Sequence, residues 1–323
     1  MKFTSNTLVK LFACTAVSVV SAGSIFRNKK HGIKAFASPA RFNVVENDNE
    51  VLKQHRLLQI PRGGGDGGLL DPTMVAKIAT ALCFLQGSLF KFCPLPTLDA
   101  FKSSKTPTTV MLANRLGASY LSLGVALYAL LFSNGGEGTS VVQAMGYSSI
   151  VMLCELIFSR INDDAGTIGY NANSELPWIA FFVVMIYSGV FGADWIDIDG
   201  IIKAYGIFVV LLQSTLAFNP NKVFDMHVKR ASGSKKGKNV TSKDELLVAK
   251  SLGYVGLGRG IFVLSLMFGV EPTKALGYGW IPQLVFNLSG LFVTGEVDDL
   301  GLSKGMFYMW LVFHAIIIGT LAF

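Results

Sequence analysis

Five polar or ionisable side chains stand inside otherwise apolar stretches of the chain: Arg115, Glu155, Arg259, Asn287 and His314. An ionisable group at the centre of a membrane helix costs roughly 2.5–3.5 kcal/mol on insertion scales, so such residues mark either a functional site or a built clasp. Arg115 lies about seven residues, ~10 Å at the helical rise, inside one end of its apolar run. Glu155 lies about five residues, ~8 Å, inside the corresponding end of the next run. The matched depths predict an Arg115–Glu155 ion pair, serving as a static clasp between neighbouring helices or as part of a substrate-binding or coupling site. Arg259 enters its run by about 13 residues, ~20 Å. With Asn287 and the mid-helix His314 it is expected to converge on one polar pocket. The structural alternative has Arg259 snorkelling or bonding carbonyls, and His314 bonding a neighbouring serine or carbonyl.

Three chemistries fit such a set. The first is binding or transport of a small solute or lipid. The second is membrane-embedded catalysis on a lipid or isoprenoid, with His314 and Glu155 moving protons. The third is a scaffold in which every polar group is a packing device. The sequence favours a non-enzymatic role and implies no cofactor. It has no HExxH, GxSxG, Walker loop or CxxC, and its four cysteines show no zinc-ligand spacing. Asp194, Asp197 and Asp199 are too sparse for an EF-hand loop. Gly253, Gly256, Gly258 and Gly260 lack a preceding strand and the dinucleotide-binding order, so they read as a small-residue packing seam.

The elements that position these residues are membrane helices. Of 323 residues, 51% are apolar and 15% charged, with mean hydropathy +0.48, where soluble domains carry about 25% charge. The net charge of +7 is not a nucleic-acid signal, because ten of the 28 Lys/Arg fall within residues 1–71 and seven within 222–243. Hydropathy predicts an all-α polytopic membrane protein with eight spans, near 73–92, 108–132, 141–159, 177–193, 200–218, 246–269, 274–294 and 305–323.

The two halves repeat. Lys77, Phe92, Pro94 and Asp99 recur as Lys203, Phe218, Pro220 and Asp225, 126 positions on. Ala113, Leu116, Gly117, Leu121 and Gly124 recur as Ala249, Leu252, Gly253, Leu257 and Gly260, 136 positions on. Ala144-Met145-Gly146-Tyr147 recurs as Ala275-Leu276-Gly277-Tyr278, and Asp163-Asp164 as Asp298-Asp299. Repeat A is expected over 72–196 and repeat B over 197–323, as two parallel tandem four-helix units, since four spans restore the original orientation. The charged pair is not repeated: Ser251 stands for Arg115, Lys250 for Asn114, and Asn287 lies near the place of Glu155.

Odd-numbered loops hold Lys102, Lys105, Arg160, Lys222, Lys304 and the basic segment, while even-numbered loops are acidic; the positive-inside rule puts the odd loops in the cytosol. The polybasic loop, 219–245, carries Lys229, Arg230, Lys235, Lys236 and Lys238 and is expected to attract anionic lipid headgroups, about 1 kcal/mol per charge near the surface. The four acidic landmarks Asp99, Asp225, Asp163-Asp164 and Asp298-Asp299 would cap helices or line a cation vestibule.

At the amino terminus, Lys2, Lys10 and the apolar run Leu11–Ala22 have the order of a secretory signal peptide, taken as 1–23. A basic and Gly-rich flexible lumenal segment follows, 24–71. Partners are therefore the lipid bilayer and no nucleic acid, with placement in the endomembrane system or plasma membrane. The acid-free stretch 23–44 with Ala35-Phe36-Ala37-Ser38-Pro39 resembles the bipartite plastid presequence of algae with complex plastids, although the element lies some 13 residues past the apolar run. That resemblance implies the alternative location, a complex-plastid membrane.

Overall fold

The computed structural model describes residues 70–101, 103–132, 139–162, 172–192, 197–227 and 242–323. The expected signal peptide, nearly all of the 24–71 segment and the polybasic side chains Lys229, Arg230, Lys235, Lys236 and Lys238 lie outside them. The described residues form helices and no strand.

Local chemistry sets the helix boundaries. Helix α1 (Pro72–Phe92) starts at Asp71, whose carboxylate accepts the Thr73 amide at 3.0 Å, and stops before Pro94, which opens the short α2 (Pro94–Ala100). Helix α3 (Pro107–Phe132) again begins on proline. A Ser140–Gln143 capping box opens α4 (Val141–Ile161), and a Ser242–Glu245 box opens α8 (Lys243–Met267). The turn Ala172–Glu175 leads into α5 (Leu176–Phe191), which ends at Gly192 in the left-handed region, φ 71°. Asp197 caps α6 (Ile198–Phe218), and Pro220 opens the short helix α7 (Pro220–His227). Helix α9 (Pro272–Leu288) is followed by a π-helical turn, Ser289–Val293, then α10 (Glu296–Asp299) and α11 (Lys304–Leu321).

Seven of these helices are long and apolar enough to cross a membrane: α1, α3, α4, α5 with its leading turn, α6, α8 and α11. The segment expected at 274–294 differs from the others. Its α-helix is only 17 residues long and contains Pro282, and the chain continues through the wider π turn, where the Thr294 amide bonds the Ser289 carbonyl at 2.9 Å. The outward faces are apolar, with Ile157, Phe158, Val183, Leu211 and Val312 exposed. A water-facing surface would not be built so, and the chain has the make-up of a multi-pass membrane protein.

Helices α3 and α8 form the centre. Within their spans 67% and 56% of residues are buried, against 28–39% in the other five, and the two pack on each other. Around α3 the chain packs α1 on α3, α3 on α4 and α4 on α5; around α8 it packs α6 on α8, α8 on α9 and α9 on α11. Gly117 and Gly253 allow close approaches at matching places in the two halves. A methyl at Gly117 would lie 2.5 Å from the Lys91 amide nitrogen, and one at Gly253 2.5 Å from that of Ala217. The Gly256–Gly260 seam likewise faces α6, at Gln213, Val209 and Val210.

Candidate functional site

A cavity of about 320 Å³ is lined by α3, α4, α5, α6, α7 and α8. Arg115 reaches into it from α3, Glu155 from α4 and Arg259 from α8, while Glu175 contributes from the turn that precedes α5. Trp178, Phe182, Tyr205 and Phe208 make an aromatic wall. The cavity thus has a charged rim on an apolar body, the usual composition of a small-molecule site.

The expected Arg115–Glu155 pair does not form. Arg115 pairs with Glu175, and Glu155 pairs with Lys91 at the end of α1. Arg160 adds a second cation 3.6 Å from Glu175, an ionic contact too long for a hydrogen bond. Depth along a helix does not fix azimuth, and each residue meets a different neighbour. Glu175 is 1% exposed and Glu155 4%, so both carboxylates need the partners they have. Sequence reasoning missed Glu175 and Lys91 because both stand at the ends of apolar runs, where charges are ordinary. The usable signal was their position at the same end of the bundle as Arg115 and Glu155.

Arg259 is bound differently. It is 5% exposed, and its guanidinium donates to Ser148 Oγ at 3.1 Å. Ser148 in turn shares a 2.7 Å hydroxyl contact with Ser122, whose Oγ also reaches the Ser148 carbonyl at 3.0 Å. Among the described residues no carboxylate comes within ion-pair distance of Arg259. Two cations, Arg115 and Arg259, and two carboxylates, Glu155 and Glu175, line this cavity.

The second expected grouping divides. Asn287 Nδ2 and His314 Nδ1 meet at 2.9 Å, and His314, 4% exposed, lies between the rings of Trp280 and Trp310. These two line a separate cavity of about 100 Å³, with Gln86, Tyr120 and Gln283. Arg259 is not among its walls. The reason is the central position of α8: Ser251, Tyr254 and Val255 face the smaller cavity, while Leu252, Gly256 and Arg259 face the larger. A residue's place along a doubly covered helix does not say which side it serves.

The acidic landmarks form ion pairs where described. Asp99 meets Lys105 at 2.5 Å, Asp298 meets Lys304 at 2.6 Å and Asp299 meets Lys243 at 3.1 Å. Lys250 pairs with Glu296. No group of three potential metal ligands occurs among the described residues. Comparison of the chain with protein-family models, curated proteins and solved structures gave no match.

Proposed function

We propose that this chain is an eight-span membrane protein of two like-oriented four-helix units that binds and carries a small amphiphilic anion, a carboxylate or phosphate on an apolar body, in the cavity lined by Arg115, Glu155, Glu175 and Arg259. The observation that carries this reading is Arg259. A guanidinium buried in an apolar span, with a serine hydroxyl as its acceptor and no carboxylate within ion-pair distance among the described residues, has the charge and the donors to take an anion. The aromatic wall suits an apolar body.

The duplicated architecture is supported by register. Gly117 abuts Lys91 as Gly253 abuts Ala217, with the first members 136 positions apart and the second 126. Gly124 meets Cys83 and Phe84 as Gly260 meets Val209 and Val210, at the same two offsets. In this reading Pro272–Val293 is the remaining span, and the basic loops stay on the cytosolic side.

The alternatives fare less well. Proton transfer between His314 and Glu155 would need one centre, and the two line different cavities. A pure scaffold has no use for a cavity of about 320 Å³ edged by an arginine without a carboxylate.

Thermal unfolding of the purified protein with a long-chain carboxylate, and with the matching alcohol, tests the reading. The carboxylate raises the unfolding temperature, the alcohol does so less, and Arg259→Gln removes the difference. An equal carboxylate shift in wild type and variant would overturn it.

A further inference from the structure

The smaller cavity, around His314, takes no part in that reading, yet its walls correspond to those of the larger one. On α8, Leu247, Val248 and Ser251 line it where Met111, Leu112 and Arg115, 136 positions earlier on α3, line the charged cavity. On α9, Gln283 and Asn287 take the places of Met152 and Leu156, 131 positions earlier on α4. On α11, Trp310 and His314 take those of Trp178 and Phe182, 132 positions earlier on α5. Leu98 of α2 answers to Phe224 of α7, 126 positions on. Each cavity therefore draws its walls from both halves of the chain, with the roles of the halves exchanged.

The wall positions are shared, and the chemistry and the size, about 100 against 320 Å³, are not. No charge is carried over: Arg115, Glu155 and Glu175 are matched by Ser251, Phe286 and Phe307, and Arg259 by Leu123. The smaller cavity has neutral polar groups instead, and three of its lining side chains keep a buried atom without a partner: Gln86 Oε1, Gln283 Nε2 and His314 Nε2. The Tyr120 hydroxyl meets Gln283 on its other atom, Oε1, at 3.2 Å. Because the Asn287 amide nitrogen can only donate, His314 Nδ1 accepts and the ring proton sits on Nε2. Two donors and one acceptor are thus left over around an apolar hollow edged by Phe90, Phe286 and Trp310. Buried polar groups in native proteins have partners, and three such groups in a single cavity are matched by a ligand hydroxyl, or by the water it would displace.

We propose that this second cavity is a separate binding site for an uncharged amphiphile carrying a hydroxyl, which accepts from His314 or Gln283 and donates to Gln86 while its apolar body lies against the aromatic edge. The site suits a neutral ligand because no ionised side chain lines it, so a charged group would enter without a counter-ion. The inference rests on the duplicated architecture proposed above and is independent of the anion.

Two photo-crosslinking probes on one scaffold test it, a long-chain alcohol and the matching long-chain acid, each with a diazirine in the chain, added to the full-length protein in phosphatidylcholine liposomes. The alcohol labels peptides around Asn287 and His314, and unlabelled alcohol competes. The double variant Asn287→Leu with His314→Phe installs the residues found at the matching positions of the other half. It lowers alcohol labelling at least tenfold and leaves acid labelling near Arg259 unchanged, whereas Arg259→Gln does the reverse. Alcohol labelling that persists in the double variant, or that spreads over lipid-facing positions such as Val312 without competition, overturns the second site. Loss of the acid arm alone overturns the anion reading and leaves this one standing. Where the double variant does not yield monodisperse protein, Gln283→Leu is read in the same assay, and undiminished alcohol labelling there overturns the proposal equally.

Discussion

Replacing Arg259 by methionine sets stability against binding with opposite signs. The side chain is 5% exposed and donates to Ser148. An ionised group at that depth costs roughly 2.5–3.5 kcal/mol, and a hydrogen bond from a charged donor offsets about 1.5–3 kcal/mol of it. The ligand-free protein thus carries a net burden of up to ~2 kcal/mol that Arg259→Met relieves. Ser148 keeps Ser122 as a partner, so no hydroxyl is orphaned by the change. At about 2–4 °C per kcal/mol for a chain of this size, the variant should unfold at the wild-type temperature or several degrees above it. Binding moves the other way. Losing two charge-assisted contacts to an anion, each about 1.5–3 kcal/mol, weakens affinity by ~100-fold or more. Thermal unfolding in detergent, with and without a long-chain carboxylate, reads both arms: the variant is at least as stable without ligand and less stable than wild type with it. A variant more than about 1 kcal/mol less stable than wild type in the absence of ligand would show Arg259 to be a structural clasp, and the reasoning would fail.

Further outcomes follow from the same geometry. Glu175→Gln leaves Arg115 and Arg160 facing a neutral amide at a buried site. It should destabilise by about 3–5 kcal/mol, measured by unfolding in detergent, with partial recovery when Arg115→Met is added. Gly117→Ala and Gly253→Ala each press a methyl against backbone of the neighbouring helix. Both should cost about 1–3 kcal/mol by similar amounts, while Gly319→Ala, with nothing near its added methyl, should be neutral or stabilising by up to ~1 kcal/mol. In sealed microsomes, protease added outside should cut within 229–243 and the sequon at Asn239 should remain unglycosylated, whereas a cut made only from the lumenal side would reverse the topology.

Seven of the expected spans were legible from apolar length alone. The structure adds the Ser140 and Ser242 capping boxes and the prolines at positions 94, 107, 220 and 272 as the local features at helix ends. The segment ending in a π turn was less regular than its hydropathy suggested, since a mean over a window does not register Pro282 or a wider turn. The five intramembrane polar residues were also identifiable, because a polar group in an apolar run stands out whatever surrounds it.

Partnership was not legible. Sequence gives a residue's depth along its helix to about one turn. The rotation of that helix, and hence its neighbour, follows from side-chain packing around α3 and α8. So Arg115 found Glu175 and Glu155 found Lys91, while Arg259 looked away from Asn287 and His314. The chain alone determined which residues must be inserted and how deep. Only the assembled helices decided which faces of α8 meet which cavity, because that choice is made by contacts between segments far apart in sequence and not by any one of them.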